Sequence, residues 1–159
     1  MGLRYSDQKY GQCFFVTTSF KDHQNFGDIA GFYDKLADSI NFCASKFKAH
    51  IYGYAFMPSH VHLLLWIEGG KLSGFMRDVK KFIAQKVAFD LGIKSDTIWT
   101  PRYDRVAVFS RSVLQTKLDY IHNNPVKAGF VESANDWQWS SAQDYEDRGK
   151  GLINVCKDW

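Results

Sequence analysis

Two periodicities alternate along the chain. Cys13-Phe-Phe-Val-Thr-Thr-Ser19 is β-branched and aromatic and predicts a first strand, followed by a polar loop over residues 21–27. Ile29, Phe32, Tyr33, Leu36, Ile40, Phe42, Cys43 and Phe47 then recur at helical spacing between charges, which predicts an amphipathic helix over residues 28–48. Residues 51–57 return to strand character, Pro58-Ser59 reads as a turn, and residues 60–67 form the second arm of a hairpin. Gly69-Gly70 ends that arm. Phe75, Met76, Val79, Phe82, Ile83 and Val87 mark a helix over residues 72–91, with Gly92 as its stop. A fourth strand over residues 105–109 and a third helix over residues 112–124 complete the pattern. Pro125 is expected to end that helix, because the residue before a proline is pushed out of the α region.

The order is β-α-β-β-α-β-α, with no internal repeat. Its first six elements match the ferredoxin-like split βαβ arrangement: an α+β sandwich with an antiparallel sheet and two helices on one face. The third helix follows as an addition. Residues 1–130 are expected to form one domain, and the irregular, Trp-rich residues 131–159 an extension that packs on it or contacts a ligand.

Composition narrows the class. Of 159 residues, 45% are hydrophobic and 23% charged, which suits a folded domain and argues against disorder. The longest apolar candidate, residues 61–67, is far short of a membrane span and is broken by His62. The segment from Met1 has no apolar stretch behind Arg4 and does not read as a signal peptide, so no membrane partner and a cytoplasmic protein are expected. Three cysteines without CxxC spacing, Cys13, Cys43 and Cys156, fit reduced thiols.

Charge is distributed unevenly. The formal net charge is only +3, yet residues 71–127 carry 11 Lys and Arg against 5 Asp and Glu, a net of +6. The basic middle can attract phosphates or can simply be a solvated surface.

Candidate chemistry lies in two places. In a strand, His60 and His62 share one face while Val61, Leu63 and Leu65 share the other. The apolar face belongs under the two helices, so the imidazoles are expected on the open side of the sheet, about 7 Å apart along the strand. From there they can converge on one divalent ion, or stand as a pair of exposed histidines. Tyr120 and Asn124 lie one turn apart on the third helix. An Asn oxygen beside two imidazoles suits Mg²⁺ or Mn²⁺, and Tyr120 would then be a nucleophile next to a polarised phosphate. Each also admits a plainer role, as a buried helix tyrosine and a capping asparagine.

Taken together these residues resemble the REP-associated tyrosine transposases, within the HUH single-strand endonucleases. Met57-Pro-Ser-His-Val-His-Leu-Leu-Leu65 is similar to the family's His-hydrophobe-His strand with its Met-Pro lead-in. Trp99-Thr-Pro-Arg-Tyr-Asp-Arg105 is similar to its Trp-x-x-x-Tyr-Asp-Arg segment. Tyr120-Ile-His-Asn-Asn-Pro-Val-Lys-Ala-Gly129 resembles its tyrosine block, and Trp137-Gln-Trp-Ser-Ser141 with Tyr145 its closing block. The likeness runs from about Phe14 to Tyr145. Two departures stand out: Ser59 occupies a position where Asn or Asp is commoner, and the segment before Cys13 lacks the family's frequent basic, aromatic lead-in.

The resemblance implies His60 and His62 as paired metal ligands, Asn124 as the third, and Tyr120 as the catalytic tyrosine. It implies a single-stranded DNA endonuclease and strand transferase that cuts beside imperfect palindromic hairpins through a 5′-phosphotyrosine link. It also implies a prokaryotic, nucleoid-associated setting and either a monomer or a homodimer. Arg77, Lys80, Lys81, Arg102, Arg105, Arg111, Lys117 and Lys127 are candidate phosphate contacts, and Trp99 and Tyr103 candidate base-stacking platforms. Trp137 and Trp139 either stack on bases or pin the C-terminal segment to the domain, and His122, about 200° around the helix from Tyr120, reads as structural or DNA-facing. Two other classes fit the same fold: a non-catalytic single-strand nucleic-acid-binding module, and a metal-dependent hydrolase using water as nucleophile.

Overall fold

The computed structural model describes residues 12–159. The readings made on the first residues, no signal peptide and no basic lead-in, lie outside the described residues. Four strands, β1 (Cys13–Ser19), β2 (His50–Phe56), β3 (His60–Trp66) and β4 (Asp104–Val108), pair in the order β2-β3-β1-β4, antiparallel throughout. With α1 (Phe32–Phe47) between β1 and β2, and α2 (Leu72–Leu91) between β3 and β4, this is the ferredoxin-like topology. The second helix has the bounds its periodicity predicts, closed by Gly92 at φ 67°. The first begins at Phe32 because residues 26–28 form a separate 3-10 turn and Gly31 turns the chain at φ 77°.

Val16, Tyr54, Val61, Leu63 and Leu65 form one sheet face, packed on Leu36 and Ile40 of α1 and Phe75, Met76, Val79 and Ile83 of α2. The other face is not open, as the strand pattern alone suggests. It is covered by α3 (Arg111–Lys127), whose stripe Leu114, Leu118 and Ile121 buries Cys13, Phe15, Tyr52, Ala55, Leu64 and Val108. Helical periodicity identifies a buried stripe but not the surface that receives it. Gly53 makes the approach possible: a Cβ there would stand 2.5 Å from Leu118 Cδ1.

The end of α3 differs from expectation. Pro125 lies inside the helix and is buried. Closure comes four residues later, where Gly129 at φ 81° donates from its N–H to Val126 O at 3.0 Å and Phe130 N–H to Pro125 O at 3.0 Å. This paired C-terminal cap fixes the helix end. Burial of Pro125 and the cap together outweigh the local bias against a helical residue before proline.

Residues beyond α3 run along the outer edge of β2. Phe56 N–H donates to Trp139 O at 2.8 Å, Ser141 N–H to Tyr54 O at 3.0 Å and Cys156 N–H to Ile51 O at 2.8 Å. A short helix, α4 (Ala142–Tyr145), follows. The free edge is thus paired, which removes a template for strand addition. Trp137 Nε1 donates to Phe56 O at 3.0 Å, and Trp139 packs on Tyr33 at 4.9 Å between ring centroids. Both tryptophans serve to pin this segment. Cys43 and Cys156 are free thiols. Among the described residues, no helix is long and apolar enough to cross a membrane.

Candidate catalytic and metal-binding site

The β1–β3 register places Thr17 opposite His62 and Ser19 opposite His60. Because side chains alternate along a strand, Phe15, Thr17, His60, His62 and Leu64 share the face beneath α3. His60 and His62 turn toward each other, with rings 4.7 Å apart at 81° and Nε2 atoms 3.2 Å apart. The Asn124 side-chain amide reaches to 3.2 Å from His62 Nε2, across 62 residues of sequence. At the outer nitrogens, His62 Nδ1 lies 2.9 Å from Thr17 Oγ1 and His60 Nδ1 lies 3.1 Å from Ser59 Oγ.

His62 is only 4% exposed. Burial, with the charge of His60 adding to it, pushes its pKa down to about 3. Burial also lowers His60, followed by the effect of His23. Both imidazoles are therefore neutral near pH 7, the state in which a ring nitrogen offers a lone pair to a metal. Two imidazole nitrogens and an amide that presents its oxygen when flipped match the donors of a small divalent cation, so the residues fit Mg²⁺ or Mn²⁺. Among the described residues, no group of three His, Cys, Asp or Glu side chains offers another such cluster.

Tyr120 is 44% exposed and stands beside this cluster in the same chain. Its ring meets His62 edge-on at 5.7 Å and Phe15 at 5.8 Å, while Phe15 stacks on His62 at 5.5 Å and 19°. Phe15 thus packs against both rings, stacked on His62 and perpendicular to Tyr120. Lys117, Tyr120, Asn124 and Lys127 fall on one stripe of α3. Lys127 Nζ sits 5.7 Å from the Tyr120 ring centroid and Lys117 Nζ 5.1 Å from that of Phe15. A half-exposed phenol, two imidazoles, a side-chain amide and two ammonium groups therefore border one surface.

The remaining candidates separate. Arg77, Lys80 and Tyr103 come together with Ser73 and Pro101 around a cavity of about 280 Å³. Within it Lys80 donates to Thr100 O at 2.7 Å, and burial lowers its pKa; Arg77 pairs with Asp78 at 3.1 Å. Thr100 N–H donates to Ser19 O at 3.0 Å, so this cavity lies at the same end of the sheet as His60. Arg102 is exposed near it. Lys81 lines a different groove, between α1 and α2. Arg105 lies over Phe14 at 5.9 Å, and its partner in register is Val16, so it belongs to the face opposite the histidines. Arg111 donates to Trp159 O at 2.6 Å, nine residues before Tyr120, about 14 Å along the helix. Trp99 is a correction: it is 7% exposed, packs on Phe20 at 4.7 Å and donates from Nε1 to Lys80 O at 3.0 Å, which makes it a core residue and not a base platform.

His122 is structural. Its Nε2 lies 2.8 Å from Ser141 Oγ, which also accepts from Tyr54 N–H at 3.0 Å, so one hydroxyl ties α3 to β2 and to the C-terminal segment. Burial lowers the His122 pKa to about 4, against the opposing pull of Asp119 and Glu146. Sequence reasoning missed Thr17, Phe15 and the role of Ser59. Only the strand register reveals the first two.

A family model described as transposase IS200 like matches residues 15–124. The REP-associated tyrosine transposase of Escherichia coli strain K12 is 30% identical over 111 residues, covering 69% of this chain and 61% of that protein. A Haemophilus influenzae protein, provisionally given the same name, is 29% identical over 123 residues, covering 67% of this chain and 70% of its own length. This chain thus spans about 61% of the length of the first relative. The solved structure of a REP-associated tyrosine transposase bound to a REP hairpin superposes with a TM-score of 0.73 at 24% identity, over 92% of this chain and 86% of that one, a likeness of fold.

Proposed function

Since the chain belongs to the IS200-like transposase family, we propose that it is a metal-dependent, tyrosine-using endonuclease and strand transferase acting on single-stranded DNA beside hairpins. The observation that carries this is the meeting of His60, His62 and Asn124 with Tyr120 at the same face of one chain. A hairpin as partner is supported by the relative of like fold that is bound to one. Mg²⁺ or Mn²⁺, when bound, supplies Lewis-acid polarisation of a phosphate oxygen.

The chain's own residues do the rest. His60, His62 and Asn124 hold the site, and Tyr120 Oη attacks phosphorus in line. A Tyr–O–P bond forms, the P–O3′ bond breaks, and the proton lost by the phenol is balanced by the one gained at the released 3′-hydroxyl. The phosphodiester energy stays in the tyrosine link, so a 3′-hydroxyl can reverse the step without ATP. Lys117 and Lys127 draw the backbone phosphates to the tyrosine, and the cavity of Arg77, Lys80 and Tyr103 takes an adjoining part of the strand. The tyrosine acts in cis, in a monomer, because it already faces its own His62. Residues 1–130 form the nuclease domain and residues 131–159 the extension that braces α3, and the protein works on DNA in the cytoplasm.

Tyr120→Phe tests this reading. With labelled hairpin DNA and Mn²⁺, the wild type is expected to cut and to leave a covalent adduct on a denaturing gel, and the variant to bind without doing either. Cutting by Tyr120→Phe would show water as the nucleophile. A wild type that binds and never cuts would be a binding module.

A further inference from the structure

We propose that Phe130, backed by Trp137, is a stacking platform for one unpaired base of the DNA strand beside the hairpin. This deepens the single-strand reading above and rests on it. Phe130 is 49% exposed, and its ring stacks on that of Trp137 at 5.4 Å between centroids and 22° between planes. Two bonds hold the pair in place. Trp137 Nε1 donates to Phe56 O at 3.0 Å, and Phe130 N–H donates to Pro125 O at 3.0 Å as part of the cap on α3.

Both anchors adjoin the site. Phe56 leads into the β2–β3 turn, where Met57 N–H donates to His60 O at 2.8 Å, and Pro125 follows Asn124 directly. In the strand order β2-β3-β1-β4 the aromatic pair is tied to the β2 side of His60. The cavity of Arg77, Lys80 and Tyr103 is tied through Thr100 to Ser19 on the β1 side. A strand that crosses this end of the sheet past Tyr120 thus meets an aromatic side chain on either side of the histidines.

Local charge decides which part of a nucleotide faces the ring. Exposed Glu132 and Asp136 flank Phe130 and Trp137 in sequence and repel a phosphate, while Lys127, whose Nζ lies 5.7 Å from the Tyr120 ring centroid, attracts one. The backbone therefore runs over Lys127 and a base turns to Phe130. Every base has a π-face, so the contact holds a base without choosing it by sequence. The helix cap does not require this ring, since any large aliphatic side chain supplies its apolar contact. A half-exposed ring lying nearly parallel to an anchored indole is ordered in advance for stacking.

Phe130→Leu keeps an apolar side chain at the cap and removes the π-face. Fluorescence anisotropy with a labelled hairpin tailed on both sides, in EDTA to hold off cutting, is expected to show Phe130→Leu weakening binding by about 5–150-fold, the range that stacking of one base gives, with Phe130→Trp restoring it. A hairpin without tails should bind Phe130→Leu as it binds wild type. Abasic substitution along the tails should find one position that costs wild type the same factor and costs Phe130→Leu nothing further. That series compares substrates on one protein, so a change in stability does not enter it. Wild-type affinity of Phe130→Leu for the tailed hairpin, an equal loss on tailed and untailed hairpins, or abasic losses identical in the two proteins would overturn the platform. A wild type that binds the tailed hairpin and never cuts it with Mn²⁺ would sink the nuclease reading and leave the platform standing, whereas one that binds no hairpin would sink both.

Discussion

Gly53→Ala should loosen the seat of α3 and silence the site before it unfolds the protein. An added Cβ would stand 2.5 Å from Leu118 Cδ1, 3.4 Å from Ser141 Oγ and 3.9 Å from Leu64 Cβ. Ordinary carbon contacts lie at about 3.5–4.0 Å, so Leu118 must retreat by about 1 Å or more. Leu118 is 2% exposed and has little room to do so. Overpacking of this kind costs about 1–3 kcal/mol. A shift of α3 on that scale also carries Tyr120 and Asn124 away from the histidines on β3, and a misplacement of about 1 Å can reduce rate by about 10²-fold. Urea denaturation measures the first effect and adduct formation on a hairpin the second. Leu118→Ala alone should cost about 2–5 kcal/mol through its cavity. In the double variant the new methyl has space, so the combined loss should fall short of the sum by about 1 kcal/mol or more. Additive losses, or Gly53→Ala within about 0.3 kcal/mol of wild type and fully active, would show that Gly53 does not set this approach.

Stability should fall on acidification. Folding lowers the pKa of His122 to about 4 and of His62 to about 3, so between the ordinary value near 6.5 and those values the unfolded chain binds protons that the folded one does not. Stability is then full above about pH 6.5 and lost downward from there, by at most about 1.4 kcal/mol per pH unit per histidine; His122→Phe should reduce the slope between pH 6 and 5 in urea titrations. Gly129→Ala, at φ 81°, should cost about 1 kcal/mol in the same assay without changing cleavage per folded molecule. Chelation by EDTA should abolish cutting and leave the circular dichroism spectrum in place, since both faces of the sheet are held by apolar clusters that include neither His60 nor Asn124. Arg77→Glu with Tyr103→Ala should weaken binding of hairpins that carry a single-stranded tail more than of hairpins cut flush; equal loss on both would remove the cavity of Arg77, Lys80 and Tyr103 from the strand's path.

Local chemistry carried much of this protein in its linear order. Period-two and period-3.6 runs place four strands and two sandwich helices, and the bounds of α2 are legible because apolar spacing and Gly92 agree. The His60 and His62 pair, and Tyr120 one turn before Asn124, are likewise readable, since both spacings follow from a single element's geometry. Contacts between elements were not. Which sheet face α3 covers, and hence that His62 is buried and Asn124 reaches it, depends on the complementarity of two surfaces far apart in the chain. Thr17 meets His62 only through strand register, Trp99 enters the core only because α2 lies over it, and Pro125 stays helical because burial and a glycine cap outweigh its local bias. Periodicity determines what a segment buries; only packing, the sum of many weak non-local contacts, decides against what.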